Sequence, residues 1–216
     1  MFTAVLFDLD GTILNTNELI VDSFLHTLKG ETPREYTRED IIANFGRTLV
    51  DQMRDYTGRE NVEPFITKYR AHNISRHDDL IMDFPYVGEV LERLSQAGVK
   101  LGVVTSKVRR TSLMGLNRFK LTDYLQSIVT VEDVTNPKPH QEGILKAIAE
   151  LGADPGATLM VGDSQYDIMA AQNAGIRVAG VSWAAKGEEF LEQFKPDYMI
   201  RDMRELLALC GVKGEG

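Results

Sequence analysis

Residues 3–7, TAVLF, form a short apolar run that stops abruptly at two aspartates and a glycine. Four runs of the same kind recur: VKLGVVT at 99–105, QSIVTV at 126–131, ATLMVG at 157–162 and IRVAGV at 176–181. Short, continuously apolar segments are the pattern of strands buried on both faces, as in a parallel sheet. Helical periodicity separates them. Val87, Val90, Leu91 and Leu94 share one helix face, as do Ile144, Leu145, Ile148 and Leu151, and a glycine follows each set at a C-terminal boundary. The alternation predicts an α/β fold, a doubly wound and mostly parallel five-stranded sheet with helices on both faces.

One interval breaks the alternation. About 90 residues separate the first run from the second, where a crossover needs only one helix. That interval holds amphipathic stretches near 17–28, 38–44, 48–57 and 61–76, and no convincing buried strand. An inserted all-helical subdomain over residues 16–80 accounts for them. Residues 1–15 and 81–216 then form the sheet domain, with a helix at 84–97 returning the chain to it. An insertion directly after the first strand hangs over the C-terminal edge of the sheet, where ligands bind in open α/β folds, and is placed to act as a lid.

The 216 residues include 32 Asp and Glu against 24 Lys and Arg, a net charge of -8. That balance argues against a nucleic-acid partner, whose nonspecific binding needs a basic surface. It also sits badly with an anionic substrate unless a metal ion or a few placed cations reverse the local field. No stretch reaches the ~20 apolar residues that span a bilayer, and the first residues lack the basic and apolar regions of a signal peptide. The single cysteine, Cys210, cannot form an internal disulfide. A cytoplasmic protein without membrane partners is expected; the sequence gives no sign of oligomeric state. The tail GVKGEG at 211–216 reads as frayed.

The chemistry gathers at the ends of the apolar runs. Asp8 and Asp10 close the first, with Gly11 and Thr12 directly after, and strand periodicity puts both carboxylates on one side. Paired carboxylates at the mouth of a sheet repel, and a hard cation such as Mg²⁺ offsets that cost. GDSQYD at 162–167 ends the fourth run, bringing Asp163 toward Asp8 as a further metal ligand. Asp167 either orients its neighbours there or is only an N-terminal helix charge. Thr105 and Ser106, ending the second run, offer a hydroxyl and N–H groups as a phosphate seat, unless they serve only as a helix cap. Lys138 stands between two prolines in NPKPH, which restrict the backbone and aim one cation.

Together these describe metal-assisted phosphoryl transfer. Asp8 would attack phosphorus and form an aspartyl-phosphate, and Asp10 would protonate the leaving oxygen and then deprotonate water. Thr105 and the Ser106 N–H would fix the phosphoryl group, Lys138 would neutralise its charge, and Mg²⁺ would be held by Asp8, the Asp10 carbonyl, Asp163 and waters. A dinucleotide enzyme is excluded, since DLDGT stands where G-x-G-x-x-G would be.

At Asp8-Leu9-Asp10-Gly11-Thr12, Thr105, Lys138 and Gly162-Asp163-Ser164 with Asp167, the chain resembles the haloacid dehalogenase superfamily. The resemblance implies strand order 3-2-1-4-5, Asp8 as nucleophile, Asp10 as acid/base and a helical cap that closes over the substrate. Within that superfamily the chain is similar to the pyrophosphatase and phosphoglycolate phosphatase group, on Asn15-Thr16-Asn17-Glu18, SFLHTL at 23–28, VEDVT at 131–135, VSWAAKG and the segment near the C-terminus. This implies hydrolysis of inorganic pyrophosphate, a phosphoric anhydride, or else of phosphoglycolate or another small phosphomonoester. Nothing in the spacing separates those substrates. In the cap, Arg47 beside Gly46 is the leading substrate contact, ahead of Lys68, Arg70, His72, Arg76 and His77. Trp183 and Lys186 lie just beyond the last run, where rim packing and substrate contact are both open. A regulatory protein that senses metal or phosphate in the same acidic pocket is the reading from another class.

Overall fold

The computed structural model describes residues 1–213; the last three residues of the GVKGEG tail, 214–216, lie outside the described residues. In the sheet domain the strands are β1 (Ala4–Phe7), β4 (Lys100–Val104), β5 (Ser127–Val129), β6 (Thr158–Gly162), β7 (Arg177–Val181) and β8 (Tyr198–Ile200). All pair in parallel, in the order β5-β4-β1-β6-β7-β8. The expected 3-2-1-4-5 order is present, and β8 extends it by a sixth strand. Sequence periodicity misses β8 because it is a three-residue, mostly half-buried edge strand that follows Pro196, too short to read as an apolar run.

The strands β1, β4, β6 and β7 are buried almost throughout. Helices α5 (Val87–Gln96), α6 (Arg109–Arg118), α7 (Glu142–Leu151), α8 (Gln165–Asn173), α9 (Glu188–Glu192) and α10 (Glu205–Leu209) surround them. On α5 and α7 the buried positions are those of the sequence pattern, Val87, Val90, Leu91 and Leu94, then Ile144, Ile148 and Leu151; Leu145 departs from it and is exposed. Cys210 is packed in the same core.

Between β1 and β4 the chain forms α1 (Asn17–Leu28), α2 (Arg38–Ile42), α3 (Leu49–Thr57) and α4 (Glu63–Leu80). These helices bury a second apolar cluster, including Phe24, Ile41, Met53 and Ile66, distinct from the sheet cluster. The apolar period on α4 stops near residue 76, yet the helix continues to Leu80, because Asn73 and His77 carry on the buried stripe of Phe65, Ile66 and Tyr69. Two short antiparallel strands, β2 (Leu14–Asn15) and β3 (Met82–Asp83), bring the ends of this helical segment side by side.

Burial pushes the Cys210 thiol up to about 11. With that pKa, about one thiol in a thousand is thiolate at pH 8. Native protein at pH 8 is therefore expected to resist iodoacetamide, with alkylation completing only in denaturant; thiol titration with and without guanidinium checks this.

Candidate active site

The site lies at the carboxyl ends of β1, β4 and β6, where strand order reverses around the central strand. Asp8 continues the parallel pairing, its N–H donating to the Val161 carbonyl at 2.8 Å. The chain then turns tightly: Gly11 N–H donates to Leu14 O at 2.8 Å, and Gly11 takes a positive φ of 81°. A Cβ at Gly11 would lie 2.2 Å from Asp163 Oδ2, so glycine is needed here for both conformation and space. The DLDGT pattern is thus the turn that lets the ends of β1 and β6 meet.

Asp8, Asp163 and Asp167 are all buried, and each presents a carboxylate oxygen within 4.8 Å of the others. The Lys138 ammonium sits against this group. It donates to Asp8 Oδ1 at 2.6 Å, Asp167 Oδ1 at 2.6 Å and the Val104 carbonyl at 3.0 Å, so its three protons are all committed. The other Asp167 oxygen accepts the Ser164 N–H at 3.0 Å and the Ser164 hydroxyl at 2.6 Å. Three of the roughly four acceptor positions of Asp167 are thus filled, tying it to Lys138 and to the start of α8.

Burial raises the Asp8 carboxyl to about 7, against the opposing pull of Lys138. Asp163 is pushed well above the carboxylate range by burial and by the charges of Asp8 and Asp167. Burial disfavours the Lys138 cation, but the attraction of Asp167 and Asp8 prevails and holds it above the usual lysine range. With all three ionised, the buried carboxylates against one ammonium would carry two net negative charges on hard oxygen donors. That donor set and charge fit a hard divalent cation.

Asp10 lies outside this cluster. Its carboxylate accepts from Lys107 Nζ at 2.8 and 3.1 Å and from the Thr16 hydroxyl at 2.7 Å. Thr16 thus ties Asp10 to the start of α1 and leaves that helix without a side-chain cap. Thr105 Oγ1 accepts the Lys107 N–H at 3.2 Å, and its hydroxyl donates to none of the described residues. The Ser106 hydroxyl is spent elsewhere, on the Gly46 carbonyl at 3.3 Å, leaving its N–H as the group open to an anion.

A cavity of about 160 Å³ opens between the sheet edge and the helical segment, with Asp8, Asp10, Thr105, Ser106, Lys107 and Asp163 on the sheet side. Facing them are Phe45, Gly46 and Arg47 from the loop between α2 and α3, with Ile20, Phe24 and Tyr69 behind. Arg47 pairs with Asp55 and donates to Asn44 Oδ1 at 3.2 Å, so it lines the cavity as an already partnered cation. Arg70 also lines it. Lys68, His72 and Arg76 instead bond Thr27 O, Asp22 and Asp79, and His77 is buried beside α6. Trp183 packs against Phe84 and donates to Thr12 O at 3.4 Å.

The strand-end reading assigns no role to the Lys107 side chain, although it directly follows Thr105 and Ser106. The signal was available in its position in a loop at the sheet's functional edge.

The haloacid dehalogenase-like hydrolase family pattern matches residues 5–181. A protein named pyrophosphatase PpaX from Anoxybacillus flavithermus is 46% identical over 208 residues, covering 96% of each chain. Its namesake from Bacillus velezensis is 43% identical over 211 residues, 98% of this chain and 97% of that one. Among solved structures, a hydrolase from Pseudomonas syringae superposes with a TM-score of 0.85 at 25% identity, over 97% of this chain and 98% of its own. With matches of this extent, and the carboxylates and lysine assembled at the strand ends, the chain belongs to the haloacid dehalogenase-like hydrolases.

Proposed function

We propose that this chain is a cytoplasmic, Mg²⁺-dependent inorganic diphosphatase that works through an aspartyl-phosphate on Asp8. The observation that carries this reading is the buried Asp8 carboxylate, clamped at Oδ1 by Lys138 beside Asp163. Its other oxygen is the one free to attack. The name pyrophosphatase, borne by relatives that match nearly the whole chain, supports diphosphate as substrate. No helix among the described residues is long and apolar enough to cross a membrane.

Asp8 attacks phosphorus, the bond to the bridging oxygen breaks, and the leaving phosphate takes a proton from Asp10. Asp10, now a carboxylate, takes a proton from the water that attacks the aspartyl-phosphate, releasing the second phosphate and restoring Asp8. Thr105 and the Ser106 N–H hold the phosphoryl oxygens. Lys138 acts mainly by charge and by aiming Asp8, since its protons are committed. Asp8, the Asp10 carbonyl and Asp163 would hold Mg²⁺, which supplies neutralisation of the phosphoryl oxygens. Residues 16–80 serve as the cap on a core of residues 1–15 and 81–216, with Arg47 facing the leaving group.

A second reading draws on the apolar back of the cavity, where Ile20, Phe24 and Tyr69 would suit a small organic leaving group. It makes the chain a phosphatase of phosphoglycolate or another small phosphomonoester.

A phosphate-release screen containing pyrophosphate and 2-phosphoglycolate separates the two: pyrophosphate is expected to be the better substrate, and efficient turnover of 2-phosphoglycolate with little pyrophosphate activity reverses the assignment. EDTA should abolish turnover and Mg²⁺ restore it. Asp8→Asn is expected to lose about three orders of magnitude or more in kcat, with the fold unchanged by circular dichroism. Gly11→Ala forces a Cβ into Asp163 and strains a left-handed backbone; it should cost about 1–3 kcal/mol of stability and weaken Mg²⁺ activation, read from Tm and from the Mg²⁺ dependence of rate.

A further inference from the structure

The loop between α2 and α3 reaches from the helical segment to the sheet domain, and its tip is held from two sides. Two successive carbonyls accept from the sheet domain: Phe45 O from Lys186 Nζ at 3.1 Å and Gly46 O from the Ser106 hydroxyl at 3.3 Å. Ser106 follows β4 and Lys186 follows β7, so the two donors approach from opposite flanks of the site. Gly46 has a φ of 94°, and a Cβ there would meet Ser164 Oγ at 2.7 Å and Tyr166 Cδ2 at 2.8 Å. The tip therefore rests on the loop that carries Asp163.

Lys186 is an unusual ammonium. It is half-buried, and among the described residues no carboxylate lies within ion-pair distance; its second partner is the neutral Gln165 Oε1 at 3.0 Å. The rings of Phe190 and Tyr166 lie 5.2 and 5.9 Å from it. Burial lowers its pKa, opposed by the charges of Asp163 and Asp167. Rim packing alone would be met by an apolar chain of the same length, without the cost of desolvating a charge. A cation among neutral acceptors is accounted for if its task is to join the two bodies. Because the bond is to a backbone carbonyl, it reads the position of the tip and not its side chains.

Resting on the diphosphatase reading, we propose that Lys186 is a specificity-determining positioning residue: it holds the Phe45–Gly46 tip against the core, so that productive turnover requires a substrate small enough for the closed cavity. Lys186 does not line that cavity and touches no reacting atom; it acts through Phe45, and through the adjoining backbone on Arg47. A substrate that fits under the docked tip is bound with water excluded, whereas a bulkier one keeps the tip raised and forgoes that closure.

The test compares kcat/KM for pyrophosphate and for the bulkier 4-nitrophenyl phosphate in the wild type, Lys186→Met and Lys186→Arg, with hydrogen–deuterium exchange of residues 43–48 measured alongside. In Lys186→Met the ratio of the two is expected to fall about tenfold, as for loss of one charged hydrogen bond, with 4-nitrophenyl phosphate little changed. Exchange at the tip should rise, and Lys186→Arg should recover part of both effects. Equal losses on the two substrates, or an unchanged tip, overturn the proposal. If the wild type hydrolyses a small phosphomonoester but not pyrophosphate, the substrate assignment fails and the ratio is taken with that ester. If it hydrolyses neither, the phosphatase reading fails, and the specificity role falls with it even where tip exchange responds to Lys186→Met.

Discussion

Lys138 is bonded to oxygens that belong to three different strand ends: Asp8 follows β1, Val104 closes β4, and Asp167 lies in the first turn of α8 after β6. Carboxylates buried this close either take up protons or drive their backbones apart. One ammonium in their midst lets the strand ends converge, and the remaining features of the site follow from that convergence. Gly11 must be glycine because Asp163 has been drawn against it, and Ser164 is capped because Asp167 has a second oxygen to spare. The balance is incomplete: with all three carboxylates ionised against one ammonium, the shortfall would equal the charge of one divalent cation.

Much of this was legible in the sequence because strand ends are marked by abrupt changes of polarity. Asp8, Thr105 and Asp163 each terminate an apolar run, and Lys138 is flagged by its two prolines. What could not be read is what depends on side-chain reach across the fold. Lys107 is a loop lysine until Asp10 is seen within 2.8 Å of it. Arg47 lines the cavity, but its pairing with Asp55 follows from the packing of a loop against α3 and from no local pattern. The same holds for α4, whose buried stripe turns polar at Asn73 and His77 and so outlasts its apolar period, and for β8, which is a strand only because β7 offers it an edge.

On the proposed phosphoryl chemistry, the overall acidity of the chain and an anionic substrate are reconciled by location. The carboxylates of the buried cluster face the proposed cation site, while the groups proposed to meet an anion are backbone donors, a threonine hydroxyl and cations held by partners of their own. Net charge describes the surface seen from far away; at the sheet edge the sign of the field is set by three or four side chains within a few ångströms.

The β2–β3 ribbon pairs only two residues on each side, yet it closes the whole helical excursion. Topologically, the sheet domain meets everything between Asn15 and Met82 as though it were one hairpin turn. The entropy of closing such a loop rises only with the logarithm of its length, so helices within it can be lengthened, shortened or exchanged at little cost to the sheet. The ribbon is thus a junction between two kinds of constraint: the groups at the strand ends are held by their neighbours in the sheet, while the length of the helical segment is set independently of them.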